Sequence, residues 1–276
     1  MGGLVWLASY PKSGNTWLRA FLHNLIKNAD APVDINDMMQ FSVGDSQREW
    51  FAEAAGRPLE ALSEDEIAKL RPAVHRRFTE LAKNSVFVKT HNFLGVDRGV
   101  PLITMAVTSA AIYVVRNPLD LVLSLAPHFG LTIDGAIALM AKEDGGSLPD
   151  PGNVSQRFGS WSANVKSWTR RPTPQLHVIH YEDMHDRPTE TFGGVMRFLG
   201  LDHPAERLER AIRFSSFKEL RAQEDAHGFR EKSLHAERFF RAGKKDQWRG
   251  RLNPAQVAAI VERHREQMAR FGYLPA

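Results

Sequence analysis

The stretch Ala8–Trp17, ASYPKSGNTW, decides how the chain is read. It follows the apolar run GLVWLA, in which Val5, Trp6 and Leu7 have the character of a buried strand. It leads into TWLRAFLHNLI, where Trp17, Leu18, Phe21, Leu22 and Leu25 recur at three and four residues, the apolar spacing of a helix. The segment between is therefore a strand-to-helix turn. Such a turn aims the free N–H groups of a helix start at whatever lies above the strand, and an anion is the natural guest.

Working outward, three further apolar runs have strand character: Val86–Lys89, Ala111–Val115 and Leu176–Tyr181. Helical patterns separate them. LSEDEIAKL opens with Ser63 and carries Glu66 three residues on, a capping-box signature, after which Pro72 is expected to break or restart the helix. Further helices are expected from Pro118, from Thr132, over Asn153–Thr169, from Pro188 and over Pro254–Phe271. Strands alternating with helices predict an α/β fold, a mainly parallel sheet with helices on both faces. Right-handed crossovers bring the C-terminal strand ends to one edge, where such sheets bind ligands. Asp30–Gly44, the stretch from Lys142 to Asn153 and the stretch from Glu224 to Phe240 are expected to be irregular, the last two as loops able to order over a ligand.

Composition narrows the class. At 276 residues and 43% hydrophobic, the chain supplies one large core, and a single domain over residues 1–276 is expected. Cysteine is absent, which rules out disulfides and thiolate metal sites and is compatible with a cytoplasmic location. No run approaches the roughly 20 apolar residues that cross a bilayer, and no signal-like segment precedes the first strand, so membrane insertion and export are not expected. The net charge of +4 and a pI near 9.4 invite a nucleic-acid partner. Lys and Arg are nevertheless spread along the chain in short clusters, which suits a pocket for a small anionic ligand and not a nucleic-acid partner.

Four segments carry candidate chemistry. SYPKSGNT is not a Walker A loop, because Lys12 precedes Gly14, yet Gly14 allows close backbone approach to a phosphate and Thr16 offers a hydroxyl. FVKTHNF delivers Lys89 and His91 two residues apart on one face at a strand end, a placement that suits a neutral imidazole as general base, although a lone histidine is more often a surface or core residue. In IYVVRNPLDLVLSL a strand ends at Arg116, Pro118 opens the next helix, and Ser124 lies two turns on; Arg116 suits a surface ion pair, but an arginine with a nearby hydroxyl is also how a phosphate dianion is held. RFFRAGKKDQWRGRL concentrates Arg241, Gly243, Lys244, Lys245 and Arg249 around Trp248. No metal-ligand spacing is evident, and no metal is expected.

Together these motifs resemble the sulfotransferases that use 3′-phosphoadenosine 5′-phosphosulfate (PAPS), of the cytosolic type with many bacterial relatives. SYPKSGNTW is similar to that family's 5′-phosphosulfate loop, YVVRNPLDLVLS to its 3′-phosphate strand and helix, and VKTH to the segment with its catalytic histidine. The resemblance spans Ser9 to Arg249 and implies a P-loop-like sulfotransferase fold with PAPS as co-substrate. It implies roles as well. Lys12 stabilises the leaving group; Ser13, Gly14, Asn15 and Thr16 bind the 5′-phosphate; His91 takes the acceptor proton; Lys89 neutralises the sulfuryl oxygens. Arg116, Ser124, Arg241 and Gly243 hold the 3′-phosphate, with Ala242 between the last two, while Trp17, Tyr181, Ser215 and Phe217 enclose the adenine.

Two positions depart from the family pattern RKGxxGxW: Ala242 stands for a lysine and Asp246 for a glycine. The Lys-Thr-Val-Glu dimerisation segment of the animal enzymes is not visible, so the oligomeric state stays open. The resemblance leaves the acceptor to the loops Asp37–Arg57, Phe93–Val96, His128–Asp150 and Ala226–Phe240. Their aromatic residues fit an apolar or aromatic hydroxyl or amine acceptor, or simple packing, equally well. Two other classes remain beside sulfuryl transfer: a nucleotide-dependent phosphoryl transferase, weakened by the failed Walker A pattern, and a non-catalytic nucleotide-binding module.

Overall fold

The computed structural model describes residues 2–275. Among these the strands are, in chain order, β1 (Leu4–Ser9), β2 (Ser42–Gly44), β3 (Val86–Thr90), β4 (Val96–Asp97), β5 (Val100–Pro101), β6 (Thr108–Val115), β7 (Gly146–Ser147), β8 (Gln156–Arg157) and β9 (Leu176–His180). The α-helices are α1 (Asn15–Lys27), α2 (Met38–Phe41), α3 (Arg48–Ala55), α4 (Glu64–Phe78), α5 (Pro118–Phe129), α6 (Ile133–Ala141), α7 (Trp161–Thr169), α8 (Tyr181–Asp186), α9 (Pro188–Phe198), α10 (Ala205–Phe214), α11 (Phe217–His227) and α12 (Pro254–Arg270). Five strands form the main sheet in the order β2–β3–β1–β6–β9, every neighbouring pair parallel. The two remaining pairs, β4–β5 and β7–β8, are short antiparallel ribbons.

β1 is buried along its whole length because it is the central strand and both its faces are covered. Leu4, Trp6 and Ala8 join Tyr113 and Val115 in one core, while Leu7 joins Ile112 and Val114 with Leu18, Phe21 and Leu22 of α1 in the other. After β1 the chain builds β2 and β3 on one side and then crosses to β6 on the other. That reversal opens a crevice at the C-terminal end of β1.

Local signals behave as their chemistry requires. Ser63 and Glu66 form the reciprocal capping box at the start of α4, and Asn117 caps α5 ahead of Pro118. Thr132 caps α6.

Several expectations need correction. Pro72 does not break α4, since the helix runs through it: burial of Ile67, Arg71, Val74, His75 and Phe78 along one face outweighs the lost hydrogen bond. The helix expected over Asn153–Thr169 starts only at Trp161, capped by Ser160, because Gln156 and Arg157 are extended and pair with β7. The stretch Asp30–Gly44 is not irregular throughout. It holds α2 and the edge strand β2, whose three residues pair with β3 and show no apolar run of their own. Tyr181 opens α8 instead of closing a strand, and Glu224–His227 form the last turn of α11, which Gly228 ends at φ 72°. Helices α3, α10 and α11 lie beyond those expected. No single described helix is long and apolar enough to cross a membrane.

Candidate active site

Three of the four motifs, joined by Tyr181, converge on the C-terminal edge of the sheet. Tyr10–Gly14 follows β1, His91 follows β3, Arg116 follows β6 and Tyr181 follows β9. In the first turn Lys12 and Gly14 take positive φ, 67° and 107°, so the backbone curls and presents the start of α1 inward. Gly14 is required there on two counts. Its left-handed backbone favours glycine, and a Cβ would meet the Tyr181 ring at 2.7 Å. The Asn15 amide donates to the Leu7 carbonyl at 2.7 Å and ties the helix start to β1.

Buried donors of this region without a partner among the described residues include the Ser13 hydroxyl and Nε of Arg116. Arg116 donates through Nη1 to the Lys12 carbonyl at 2.9 Å, and its guanidinium lies 4.0 Å from the Tyr181 ring centroid. A loop with free helix N–H groups, an unpartnered hydroxyl and a guanidinium fits a phosphate-type anion. Beside it Trp17, Tyr181 and His185 form an edge-to-face cluster with centroids 4.5–5.9 Å apart. Trp17 Nε1 and His185 Nε2 are buried and also lack partners.

His91 is held in one tautomer. Its Nδ1 lies 2.9 Å from the Ser9 carbonyl, which only accepts, so Nδ1 carries the proton and the neutral ring has its lone pair on Nε2. Burial, then the charge of Lys89, keeps the ring's pKa well below 6.5, so it is neutral at pH 7. Neighbouring side chains fix its backbone. The Asp45 carboxylate accepts from the Thr90 hydroxyl and the Asn92 amide, both at 2.7 Å, and Asn164 donates to the His91 carbonyl at 3.0 Å.

Lys12 and Lys89 share this cleft. Burial, followed by the charges of Arg116 and Lys89, pushes the Lys12 ammonium down to about 7, and its Nζ lies 3.6 Å from the Phe239 ring centroid. Lys89 is lowered by burial, an effect opposed by Glu231.

The remaining expected residues fall in three places. Arg241 donates to the Leu123 carbonyl at 3.4 Å, beside half-buried Ser124, which brings the third and fourth motifs together. Gly243 has φ 56°, and a Cβ there would strike the Phe217 ring at 2.2 Å. Ala242 lies between them, half-buried. Ser215 is fully buried, and its hydroxyl donates to the Ala211 carbonyl at 2.8 Å.

Residues that sequence patterns did not mark are equally prominent. Arg19 is fully buried and bonds Glu231 with both carboxylate oxygens, while Lys89 approaches the same carboxylate at 3.8 Å. Burial, then the charges of Lys12 and Lys89, lowers the pKa of His128 to about 3. A polar Arg19 inside the apolar stripe of α1 was the one local signal for the first of these. Of the loop aromatics, Phe41 stacks on His23 and Phe87, Trp50 packs on Phe78, and Phe51 and Phe229 are buried in the cores. Phe129, packed against Phe158 and His128, and Phe239, over Lys12, flank the reactive cleft.

A parallel α/β sheet whose first strand-to-helix turn and next strand ends form an anion cradle beside a neutral histidine defines a group-transfer enzyme acting on an anionic nucleotide-type donor. Comparison with known proteins agrees. The family model described as "Sulfotransferase domain" matches residues 3–272, and the chain belongs to this family as a PAPS-dependent sulfotransferase of the cytosolic type. It is 24% identical over 273 residues to sulfotransferase 2A2 of Rattus norvegicus, covering 96% of this chain and 84% of that protein. Its fold is similar to mouse sulfotransferase SULT7A1 complexed with PAP, the 3′,5′-bisphosphate product of PAPS, with TM-score 0.62, 21% identity and coverage of 96% and 84%. It is also similar to retinol dehydratase in complex with retinol and PAP, with TM-score 0.65, 19% identity and coverage of 96% and 80%. PAPS is its co-substrate, and sulfuryl transfer is its reaction.

Proposed function

We propose that residues 1–276 act as one sulfotransferase domain that moves the sulfuryl group to the hydroxyl, or an amine, of a small acceptor with an apolar ring-bearing body, and that His91 is the general base. The observation that carries this is the His91 tautomer: Nδ1 is committed to the Ser9 carbonyl, so Nε2 has a free lone pair beside Lys89. In this scheme PAPS supplies the sulfuryl group and leaves as PAP.

The chain's own residues do the rest. Ser13, Gly14, Asn15 and Thr16 hold the 5′-phosphate, and Arg116, Ser124, Arg241 and Gly243 hold the 3′-phosphate. Trp17, Tyr181, Ser215 and Phe217 enclose the adenine. His91 takes the acceptor proton on Nε2, which leaves the acceptor oxygen or nitrogen as the nucleophile. Lys89 offsets charge on the sulfuryl oxygens, and Lys12 stabilises the charge that builds on the departing phosphate. Positioning and charge stabilisation carry the transfer, by analogy with phosphoryl transfer. Phe129, Phe239 and neutral His128 flanking the cleft support an apolar acceptor with one polar contact, as does the retinol bound by the similar dehydratase. A chain without cysteine is consistent with action in the cytoplasm.

Thermal unfolding with PAP, ADP or ATP at matched concentrations tests the donor, and mass detection of sulfated phenols with PAPS tests the acceptor. PAP at about 100 times its dissociation constant adds about 2.7 kcal/mol. His91→Ala is expected to keep that shift and to lose on the order of 10²–10⁴ in turnover. A His91→Ala chain that turns over like wild type removes the base from His91.

A further inference from the structure

The run from Arg241 to Arg251 holds more cations than the donor residues already named, and its ion pairs sort them. Lys245 pairs with Asp186, and Arg249 lies 3.9 Å from Asp246. Lys244 and Arg251 have no ion-pair partner among the described residues. These two, with Arg241 and Arg221, line one cavity of about 490 Å³ whose other walls are Ala242, Gln247 and Gly250. No carboxylate lines it, although Arg221 has Asp225 at 3.9 Å on its own helix. Arg221 also donates to the Arg241 carbonyl at 3.4 Å, which fixes one wall.

Like charges gathered without counter-charge are costly, and the effect is visible at Arg241. Burial and the neighbouring charges of Arg251 and Arg116 lower its pKa. A cluster of this kind is stabilised by an anion that several guanidinium and ammonium groups share. Arg241 belongs to both the cavity and the Arg116–Ser124 side of the cleft. Ala242, which has no side-chain charge, lies within the cavity wall.

We propose that Arg251 and Lys244 complete the 3′-phosphate subsite together with Arg241, supplying from across the cavity the positive charge that position 242 does not carry. This assignment rests on PAPS being the donor. It makes the chain's preference for a 3′-phosphorylated nucleotide depend on residues outside the RAG tripeptide.

The test is calorimetric binding of PAP and of AMP, which lacks the 3′-phosphate, to the full chain. Arg251→Ala and Lys244→Ala are each expected to weaken PAP by about tenfold, the scale of one charged hydrogen bond, and to leave AMP unchanged. Both side chains are exposed, so folding is not at stake, and Arg249→Ala, already paired with Asp246, serves as the control with no effect. Adding Ala242→Lys to the Arg251→Ala chain is expected to recover PAP binding. A Lys244→Ala/Arg251→Ala chain with the wild-type PAP-to-AMP ratio overturns the subsite. A wild-type chain that binds PAP no better than AMP removes the donor assignment itself, and this inference with it.

Discussion

Nη1 of Arg19 donates to both oxygens of the Glu231 carboxylate, at 2.7 and 2.9 Å. Arg19 is fully buried, and its Nε also donates to Ser42 at 2.8 Å. Arg19 and Lys89 outweigh the cost of burying Glu231 and hold its pKa at about 2. The pair therefore pins a segment distant in sequence onto α1 and, through Lys89, the end of β3.

Breaking that pair from one side leaves a buried charge. Glu231→Gln is expected to lose about 3 kcal/mol, read as a fall of several degrees in the unfolding temperature. Arg19→Met with Glu231→Leu is expected to lose less than either single change, since only Lys89, 3.8 Å from that carboxylate, then loses a counter-charge. The sign with pH follows from the lowered pKa. Stability from Glu231 is fully present above its ordinary value of 4.5 and is lost as pH falls towards about 2. Denaturant titrations of wild type and Glu231→Gln should converge over that range; parallel curves would mean that the carboxylate is not stabilised in this way.

Lys12 sets a second pH dependence. With its pKa near 7 in the donor-free protein, the ammonium is present below pH 7 and lost above it, so a donor-bound anion brings proton uptake at neutral pH. Affinity for PAP is expected to fall as pH rises from 6 to 9, and calorimetry in buffers of different ionisation enthalpy should show protons taken up near pH 7. Lys12→Arg, charged throughout, should flatten the profile. An unchanged slope in that variant would place the titrating group elsewhere.

His91 is aimed by residues that touch no substrate. Asp45 at the end of β2 accepts from both neighbours of His91, Thr90 and Asn92, and its own N–H donates to the Lys89 carbonyl at 3.1 Å. Thr90→Val keeps the shape and removes the hydroxyl. Turnover is expected to drop about tenfold or more, because small misplacements of a base are expensive, while PAP affinity stays unchanged and Thr90→Ser restores the rate. A Thr90→Val chain that loses only stability, with turnover per folded molecule intact, would reduce Asp45 to a structural role.

Much of this site was legible because its parts are local. Gly14 after Lys12, Lys89 with His91, Arg116 before Pro118, and Gly243 after Arg241 each place chemistry at a strand end or turn, where residue type and backbone are tied together within a few positions. The Glu231–Arg19 pair was not legible, since its members are 212 residues apart: Glu231 looks like an ordinary surface charge, and the place of Arg19 in the apolar stripe of α1 names no partner. β2 was missed for a related reason. An edge strand of three residues needs hydrogen bonds on one side only, and SVG carries no apolar run. Pro72 misled because propensity describes an isolated helix, whereas the buried face of α4 decides the matter in the folded chain.

Asp246, where the family pattern has glycine, takes φ 57°, the left-handed region that favours glycine. Its N–H donates to the buried Asp120 carboxylate at 2.5 Å, and Trp248 N–H donates to the other oxygen at 3.0 Å, so the turn is clasped by its backbone. The Asp246 side chain adds little to this. Its approach to Arg249 is 3.9 Å between exposed groups, and its charge opposes ionisation of Asp120, whose pKa is raised chiefly by burial. Asp246→Gly is therefore expected to keep the clasp and relieve both strain and repulsion, by about 0.5–1 kcal/mol after the entropy cost of glycine in the unfolded chain. Urea unfolding should show a higher midpoint with an unchanged slope. A lower midpoint would mean that the Asp246 side chain, and not its backbone alone, holds the turn that carries Gly243 and Trp248.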